Sequence, residues 1–267
     1  VLFKKVPTST DEIALATLVS SEHLRKDPRN CAVPILDVIL IPGNDDWALL
    51  VMPFLMHFHL LPFRRLGEFC EFVLQITKGL EFLHAHNISQ GDFCLYNIMM
   101  DPTKVVPRGL ALTNHPTHDG FELIDFEWVE RWSVRPVQYY IIDFGLSSRH
   151  QSNDAQVLGK HGQDKTVPKQ SDTVPYNPFK LDVYQLGNEY SGLDAFQPLS
   201  KSMTQTKPED RPSAAEAAHL CEEIVLGITK AKRMSSRVWR DTPDSMFRIE
   251  PFEKLAVRFL PNYNPRV

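Results

Sequence analysis

Two carboxylates and one amide in this sequence have the types and the spacing that phosphoryl transfer requires. Asp92 and Asn97, with four residues between them, lie in the stretch Gln-Gly-Asp-Phe-Cys-Leu-Tyr-Asn at 90–97, and Asp143 follows the apolar residues 139–142. In phosphoryl transfer one carboxylate accepts the proton of the attacking hydroxyl, while an amide and a second carboxylate hold Mg²⁺ against the phosphates. Phosphoryl transfer is therefore the first hypothesis that these residues raise.

The elements that must position these residues can be predicted from hydrophobic periodicity. Between residues 66 and 84 apolar residues recur at steps of three and four, which predicts an amphipathic helix leading into the loop of Asp92. The apolar runs 98–100 and 139–142 predict short strands that follow Asn97 and precede Asp143.

The pattern of these motifs resembles the catalytic loop H-R-D-x4-N and the D-F-G motif of eukaryotic protein kinases. The long spacing from Asn97 to Asp143, together with residues 27–30 and 97–101, looks most like the protein-kinase-like proteins of mushroom-forming fungi. The resemblance implies an α+β, two-lobe fold with a truncated β-rich N-lobe and a mainly helical C-lobe that carries an inserted loop. The implied boundaries are 1–58 for the partial N-lobe and hinge, 59–232 for the C-lobe with its insert at 101–138, and 233–267 for a loosely docked or partly disordered tail.

The first residues resemble the kinase strand V-A-I-K, whose lysine contacts the α- and β-phosphates. Lys4 matches that lysine best, and Lys5 is the alternative. Residues 11–18 predict a helix with Thr10 as its cap. Glu12 on that helix is the candidate partner of Lys4, although the two are closer in sequence than is usual in kinases.

Two further apolar runs, 33–41 and 47–52, predict a hairpin. The second run resembles the strand that enters a kinase hinge, which implies adenine contacts for the residues after it. Met52 would be the gatekeeper, Pro53 would offer its carbonyl to adenine, and Leu55 would offer its N–H. The resemblance also places Met99 at the floor of the adenine pocket.

The insert contains a competing candidate for the metal. Residues 123–127 read Leu-Ile-Asp-Phe-Glu, and with Asp92 and Asn97 they resemble small-molecule kinases of the aminoglycoside and choline type, which would make Asp125 the ligand. Two later motifs favour protein kinases and therefore Asp143. The helix with Asp182 resembles the one whose Asp holds the catalytic-loop backbone, and Arg211 resembles a structural arginine.

Several departures from the kinase pattern predict impaired activity. No Gly-rich loop precedes Lys4, and Gln90 and Gly91 stand where His and Arg are expected. Gly91 has no cation for an activation-segment phosphate, so we expect no dependence on phosphorylation by the usual route. Cys94 stands where many Ser/Thr kinases place a lysine near the γ-phosphate.

The end of the activation segment predicts a change of ion-pair partner. Val-Pro-Lys at 167–169 replaces the expected A-P-E, so the glutamate that would pair with Arg211 becomes Lys169. We therefore expect either that Lys169 points to solvent or, as the favoured alternative, that an acid has replaced it as the partner of Arg211. The candidates are Asp172, Glu209 and Asp210.

Composition excludes several classes of protein. The 267 residues are 43% hydrophobic with a net charge of −4, which gives no electrostatic footprint for nucleic acid or an anionic membrane. Four widely separated cysteines argue against a disulfide framework or a zinc site and favour an intracellular location. No apolar run reaches the length of a membrane span, and no signal peptide is visible.

The leading hypothesis is an ATP-dependent protein kinase with ATP and Mg²⁺ as cofactors. It implies Asp92 as the catalytic base, Asn97 and Asp143 as metal ligands, and Lys4 on the phosphates, acting on an unknown protein substrate. We expect a monomer. A pseudokinase or scaffold that binds nucleotide without turnover, and a small-molecule phosphotransferase, remain as alternatives.

Overall fold

The computed structural model of the protein describes residues 1–111, 117–120, 126–160, 162–164, 166–168, 170–189 and 194–238. The helices in these ranges are α1 (Glu12–Val19), α2 (Leu66–Ala85), α3 (Arg131–Val134), α4 (Pro178–Glu189), α5 (Gln197–Met203) and α6 (Ala214–Lys230). The strands are β1 (Leu2–Pro7), β2 (Asp37–Ile41), β3 (Asn44–Met52), β4 (Met56–His57), β5 (Ile88–Ser89), β6 (Ile98–Met100), β7 (Tyr139–Ile141) and β8 (Ser148–Arg149). The described residues therefore combine small antiparallel sheets with helices, which confirms the predicted mixture of α and β structure.

The first sheet has the order β1–β3–β2, and both strand pairs are antiparallel. The predicted hairpin is present, but its first strand is shorter than 33–41, and β3 begins before residue 47. Pro34 has no N–H to give to a ladder, which is a physical reason for the late start of β2. Gly43 turns the chain between the strands with φ +73°, a conformation that glycine adopts without strain.

The second sheet has the order β4–β6–β7, and the third pairs β5 with β8. Ile98 lies opposite Ile141 in the second sheet, and Ile88 lies opposite Arg149 in the third. The loop of Asp92 leaves β5 and enters β6, while Asp143 follows β7 directly. The two short sheets therefore bring the stretches around Asp92 and Asp143 together.

Helix α2 supplies much of the core beneath these sheets. The predicted stripe at residues 66–84 is confirmed, because its members Phe72, Val73, Ile76, Leu80 and Leu83 are all fully buried or nearly so. Helix α6 packs against α2. The sequence Ser-Ala-Ala-Glu at 213–216 has the pattern of a capping box, and it starts α6: the Glu216 amide donates to Ser213 Oγ at 3.2 Å and the Ser213 amide donates to Glu216 Oε2 at 2.7 Å.

The expected cap of the first helix is wrong. Thr10 donates its hydroxyl to the Pro7 carbonyl at 3.1 Å, and Asp11 occupies the N-cap position without a side-chain cap bond. Thr10 therefore closes the turn after β1, and α1 begins at Glu12, two residues later.

The insert 101–138 is not simply the surface loop that its composition predicts. Arg131 in α3 is only 1% exposed, and its guanidinium donates to the carbonyls of Phe58 at 2.5 Å, Leu61 at 3.0 Å and Pro62 at 3.1 Å. Val105 and Val106 at the other end of the insert are also buried. The charge and proline content of the insert gave no sign that Arg131 is buried, because the sequence of a buried arginine bound by carbonyls does not differ from that of an exposed one.

The start of the predicted tail 233–267 is docked rather than loose. The Gly67 amide donates to the Met234 carbonyl at 2.8 Å, the Leu66 amide donates to Ser236 at 2.8 Å, and Val238 donates to Arg64 at 3.1 Å. The first two bonds satisfy N–H groups at the start of α2, which have no partner within the helix. Residues 239–267 lie outside the described residues.

Two further findings concern membrane spans and the state of the cysteines. Within the described ranges, no helix combines the length and the apolar character needed to traverse a bilayer. The four cysteines are free thiols, and all four are buried.

Candidate functional site

Helix α4 holds the backbone of the loop that contains Asp92. Asp182 is fully buried, and its two carboxylate oxygens accept the amides of Gln90 and Gly91, each at 2.8 Å. His84 on α2 lies with Nε2 3.0 Å from the same carboxylate. Asp182 therefore fixes the backbone of the loop 90–97, which is the contact that the resemblance implies for this residue.

Two more side chains of α4 continue this support. Gln185 accepts the Phe93 amide at 2.9 Å, and Glu189 accepts the Leu95 amide at 3.2 Å. Steps of three and four residues put Gln185 and Glu189 on the same helix face as Asp182. Burial raises the pKa of Glu189 to about 8, and the nearby charge of Asp164 adds to the effect of burial.

Asp92 and Asn97 are in direct contact. The Asn97 side-chain amide donates to the Asp92 carbonyl at 2.8 Å and to its Oδ2 at 3.1 Å. A third residue, Gln163, also reaches Asp92: its backbone amide donates to Oδ1 at 2.6 Å and its side chain lies 3.4 Å from Oδ2. The Asp92 residue is consequently only 8% exposed.

Gln90 and Gly91 have structural reasons to replace the expected His and Arg. Gln90 accepts the Asp92 amide at 2.6 Å and donates to the Asp143 carbonyl at 3.0 Å, so its side chain links the two halves of the site. Gly91 has φ +82°, and a Cβ there would lie 2.5 Å from the Leu146 carbonyl oxygen. A residue with a side chain would therefore displace the loop.

Lys4 joins the N-terminal segment to Asp143. Its Nζ lies 2.5 Å from Glu12 Oε1 and 2.9 Å from Asp143 Oδ1. The predicted Lys4–Glu12 pair is thus present, whereas Lys5 lies over the Trp47 ring at 4.4 Å. Burial lowers the pKa of Lys4, but hydrogen bonds to Glu12 and Asp143 outweigh it, and the net shift is upward.

The residues proposed to hold Mg²⁺ are adjacent through the second sheet. The Ile142 amide donates to the Asn97 carbonyl at 2.9 Å, which places Asp143 beside Asn97. Asp143 adopts φ +59°, and its Oδ1 accepts the Gly145 amide at 3.1 Å. An amide oxygen and a carboxylate suit a hard cation such as Mg²⁺, which usually takes its remaining ligands from water and phosphate. No group of three or more His, Cys, Asp and Glu side chains in the described part of the chain could hold a metal.

Of the residues predicted to border adenine, three lie between the end of β3 and the start of β4, and the fourth lies in the strand that pairs with β4. Met52 ends β3 and is 8% exposed, and Leu55, which precedes β4, is 8% exposed as well. Pro53 is partly buried between them. Met99 lies in β6 opposite His57 of β4, so β4, which follows Leu55, runs beside Met99. Contacts of these residues with adenine remain a prediction.

The expected acidic partner of Arg211 is wrong. Within the described residues its guanidinium bonds to backbone carbonyl groups and not to Asp172, Glu209 or Asp210. The accepting carbonyls belong to Gln205 at 2.7 Å, Lys180 at 2.9 Å, Pro168 at 3.3 Å and Thr206 at 3.4 Å. Burial lowers the pKa of Arg211 to about 10. Carbonyls satisfy the donors of this 3% exposed side chain, so no second charge has to be buried with it. Lys169 lies outside the described residues.

The other candidate for the metal, Asp125, also lies outside the described residues.

Three residues that contact the loop of Asp92 were not predicted from the sequence. Gln185 and Glu189 could have been found, because they follow Asp182 at helical spacing within a predicted helix. Gln163 carries no such signal, because it is 71 positions from Asp92 in a stretch without periodicity.

A comparison of the sequence with protein-family models found no match, and a comparison with curated proteins found none either. The function must therefore be argued from the residues themselves. The contacts that bear most directly on the function connect four parts of the chain: β1, α1, the loop 90–97 and the residues after β7.

Proposed function

We propose that this chain is an ATP-dependent protein kinase, which transfers the γ-phosphoryl group of MgATP to a Ser or Thr hydroxyl of a protein substrate. The observation that carries the proposal is the position of Lys4, whose ammonium contacts Glu12 and Asp143 at once. Lys4 and Asp143 are 139 positions apart in sequence. A lysine paired with a helix glutamate and aimed at the proposed metal aspartate is the arrangement that phosphate binding in a kinase requires.

Each residue has a role in this proposal. Asp92 accepts the proton of the substrate hydroxyl, Lys4 contacts the phosphates, and Asn97 and Asp143 provide oxygen ligands for Mg²⁺. The ion, when bound, neutralises charge on the phosphates. The adenine-binding residues are Met52, Pro53, Leu55 and Met99. Asp182 supports the loop of Asp92, and Arg211 has a structural role on the carbonyls around the start of α4 and before α6.

The proposal extends to the arrangement of the fold. Residues 1–58 would form the β-rich lobe and hinge, residues 59–232 the helical lobe, and ATP would lie between them. The contact between Lys4 on β1 and Asp143 after β7 supports this arrangement, because it crosses the proposed boundary.

A second candidate function is a pseudokinase that binds nucleotide without turnover. Two observations favour it: Gln163 contacts the carboxylate of Asp92, and Cys94 stands in place of a lysine. Burial and the charge of Asp92 raise the pKa of Cys94 to about 12, so its thiol stays neutral and supplies no cation.

The experiment is γ-phosphoryl transfer and nucleotide binding measured on the full chain with Mg²⁺ and labelled ATP. We expect Asp143→Asn to weaken Mg²⁺-dependent ATP binding at least tenfold. Asp92→Asn should leave binding intact and reduce transfer by roughly 10²-fold or more, because it removes the general base. Asp45→Asn, at the exposed start of β3, is the matched control and should change neither quantity.

The same assays separate the alternatives. ATP binding without transfer by the unaltered chain would favour the pseudokinase. A small-molecule phosphotransferase would lose ATP binding with Asp125→Asn and keep it with Asp143→Asn. That result would contradict the assignment of Asp143 and with it the protein-kinase proposal.

A further inference from the structure

Two histidines lie side by side where the chain leaves the second sheet. Strand β4 ends at His57, and His59 lies in the single turn of 3-10 helix, Phe58–Leu60, that follows it. Their ring centroids are 5.3 Å apart, and the ring planes meet at 36°. The proposed phosphoryl transfer assigns no role to either ring.

The separation of the two rings is the one that a shared metal ion requires. Zinc binds imidazole nitrogen at about 2.0–2.1 Å and prefers tetrahedral geometry. With these values, two imidazoles on one ion have ring centroids roughly 5 Å apart. The observed 5.3 Å agrees with this distance, so both rings can reach one ion while the backbone stays in place.

The residue between the two histidines fixes their positions. The Phe58 ring is 4% exposed and stacks on Phe72 with ring centroids 4.3 Å apart. The Phe58 carbonyl accepts a hydrogen bond from Arg131, which is only 1% exposed. Because both the side chain and the backbone of Phe58 are held, the histidines on either side of it lose little freedom when they bind a ligand.

A third ring borders the pair and leaves one nitrogen of each histidine to consider. Tyr96 lies edge-on to both imidazoles, with centroid distances of 6.4 Å to His57 and 6.1 Å to His59. All three side chains are partly buried. The Nδ1 atoms of both histidines are buried, so an ion that arrives from solvent would meet Nε2.

We propose that His57 and His59 bind one divalent transition-metal ion of the class of Zn²⁺ through their Nε2 atoms, with water in its remaining positions. This site is distinct from the proposed Mg²⁺ site, where Asn97 and Asp143 offer oxygen. It stands independently of the proposed function, because it uses none of the residues assigned to phosphoryl transfer.

The chemistry of the pair favours a transition metal over Mg²⁺. Imidazole suits Zn²⁺, Cu²⁺ and Ni²⁺, whereas Mg²⁺ takes oxygen ligands. Burial and the charge of His57 lower the pKa of His59 to about 4, so the His59 ring is neutral at ordinary pH. Neutral imidazole is the form that binds a metal, and no proton has to be displaced from that ring at pH 7.

Zinc binding by the full chain tests the proposal, with Zn²⁺ alone as the probe in competition with a chromophoric chelator at pH 7. We expect the natural chain to bind Zn²⁺, and His57→Gln and His59→Gln each to weaken the binding by roughly tenfold or more, since each removes one of two protein ligands. The matched control is His219→Gln on α6, which removes an exposed histidine beside Glu223 and should leave the binding unchanged. An excess of Mg²⁺ should not displace the zinc.

A second measurement on the natural chain guards against variants that misfold. Addition of Zn²⁺ should shift the imidazole NMR signals of His57 and His59 together and should leave those of His219 in place. Signals of His57 and His59 that do not move would overturn the proposal, even if both variants bind less zinc.

Three other outcomes would also contradict the site: a natural chain that binds no Zn²⁺, equal binding by His57→Gln, His59→Gln and the natural chain, or a loss confined to His219→Gln. Weaker binding in both variants with coupled shifts of both rings supports it. If ATP binding and phosphoryl transfer are undetectable in the same preparation, the proposed function fails while the metal site stands.

Discussion

The two halves of the candidate site are held in different ways. The half with Asp92 is fixed through its backbone by Asp182, which is 0% exposed and satisfies two amides of the loop. The half with Asp143 is fixed through side chains: Lys4 and Asp143 form an ion pair in which their side chains are 30% and 45% exposed. Buried bonds to backbone are lost only when the loop unfolds, whereas a partly exposed ion pair can exchange with ligands.

This difference indicates that the half with Asp92 has its shape before any ligand binds. The loop of Asp92 needs no ligand to hold its shape, because α4 supplies the acceptors for its amides. In the structure Lys4 and Asp143 form an ion pair with each other. When ligands bind, Lys4 would also have to contact phosphate and Asp143 would also have to contact the metal. We therefore expect substitutions in the first half to act mainly on stability and those in the second to act mainly on ligand binding.

The largest effect is expected for Asp182→Ala. It would leave two buried loop amides and His84 without their acceptor, and we expect a loss of about 3–5 kcal/mol of unfolding free energy, measured by urea denaturation. Asp182→Asn keeps one carbonyl oxygen and should lose less. If Asp182→Ala cost less than about 1 kcal/mol, the loop would not depend on α4 and the contrast between the halves would not hold.

A pH-dependent effect of intermediate size is expected from Glu189. Its pKa of about 8 in the folded chain exceeds the ordinary value of 4.5, so the folded chain retains a proton that the unfolded chain releases between these values. Stability should therefore fall as pH rises from 4.5 to 8, by about 2–3 kcal/mol after allowance for partial exposure.

The measurement for Glu189 is the urea midpoint at several pH values, compared between the natural chain and Glu189→Gln. The amide retains an acceptor for Leu95 and cannot ionise. The two chains should diverge with rising pH, with the variant relatively more stable at pH 8 than at pH 5. Parallel curves would show that Glu189 is ionised in the folded chain.

The smallest effect on stability is expected for Lys4→Met. Lys4→Met would leave Glu12, whose side chain is only 6% exposed, without its cation, so we expect a loss of about 1–2 kcal/mol in unfolding free energy. ATP binding should nevertheless weaken at least tenfold in a titration with Mg²⁺ present. Lys5→Met is the matched control, because Lys5 contacts Trp47 instead, and it should leave binding unchanged. Equal losses in both variants would remove the distinction between the two lysines.

The sequence supported the prediction of local elements and of contacts that follow from a repeating pattern. The stripe of α2 and the capping box of α6 depend on spacing that is visible in the chain, whereas the pairing of Lys4 with Glu12 was implied by the resemblance to the kinase strand. The carbonyl partners of Arg211 could not be predicted, because every residue has a carbonyl and no side-chain type marks the ones used. The contact of Gln163 with Asp92 depends on how an irregular segment folds back, which no periodicity encodes.

The buried Arg131 has a consequence for anyone who shortens this protein. Since its guanidinium holds three carbonyls of the segment before α2, removal of the whole insert would take partners from that segment and would also remove Val105 and Val106 from the core. Trimming confined to the stretch between Val106 and Phe126 would leave Arg131 in the chain. A shortened chain therefore has to keep both ends of the insert, with Val105 and Val106 at one end and Arg131 at the other.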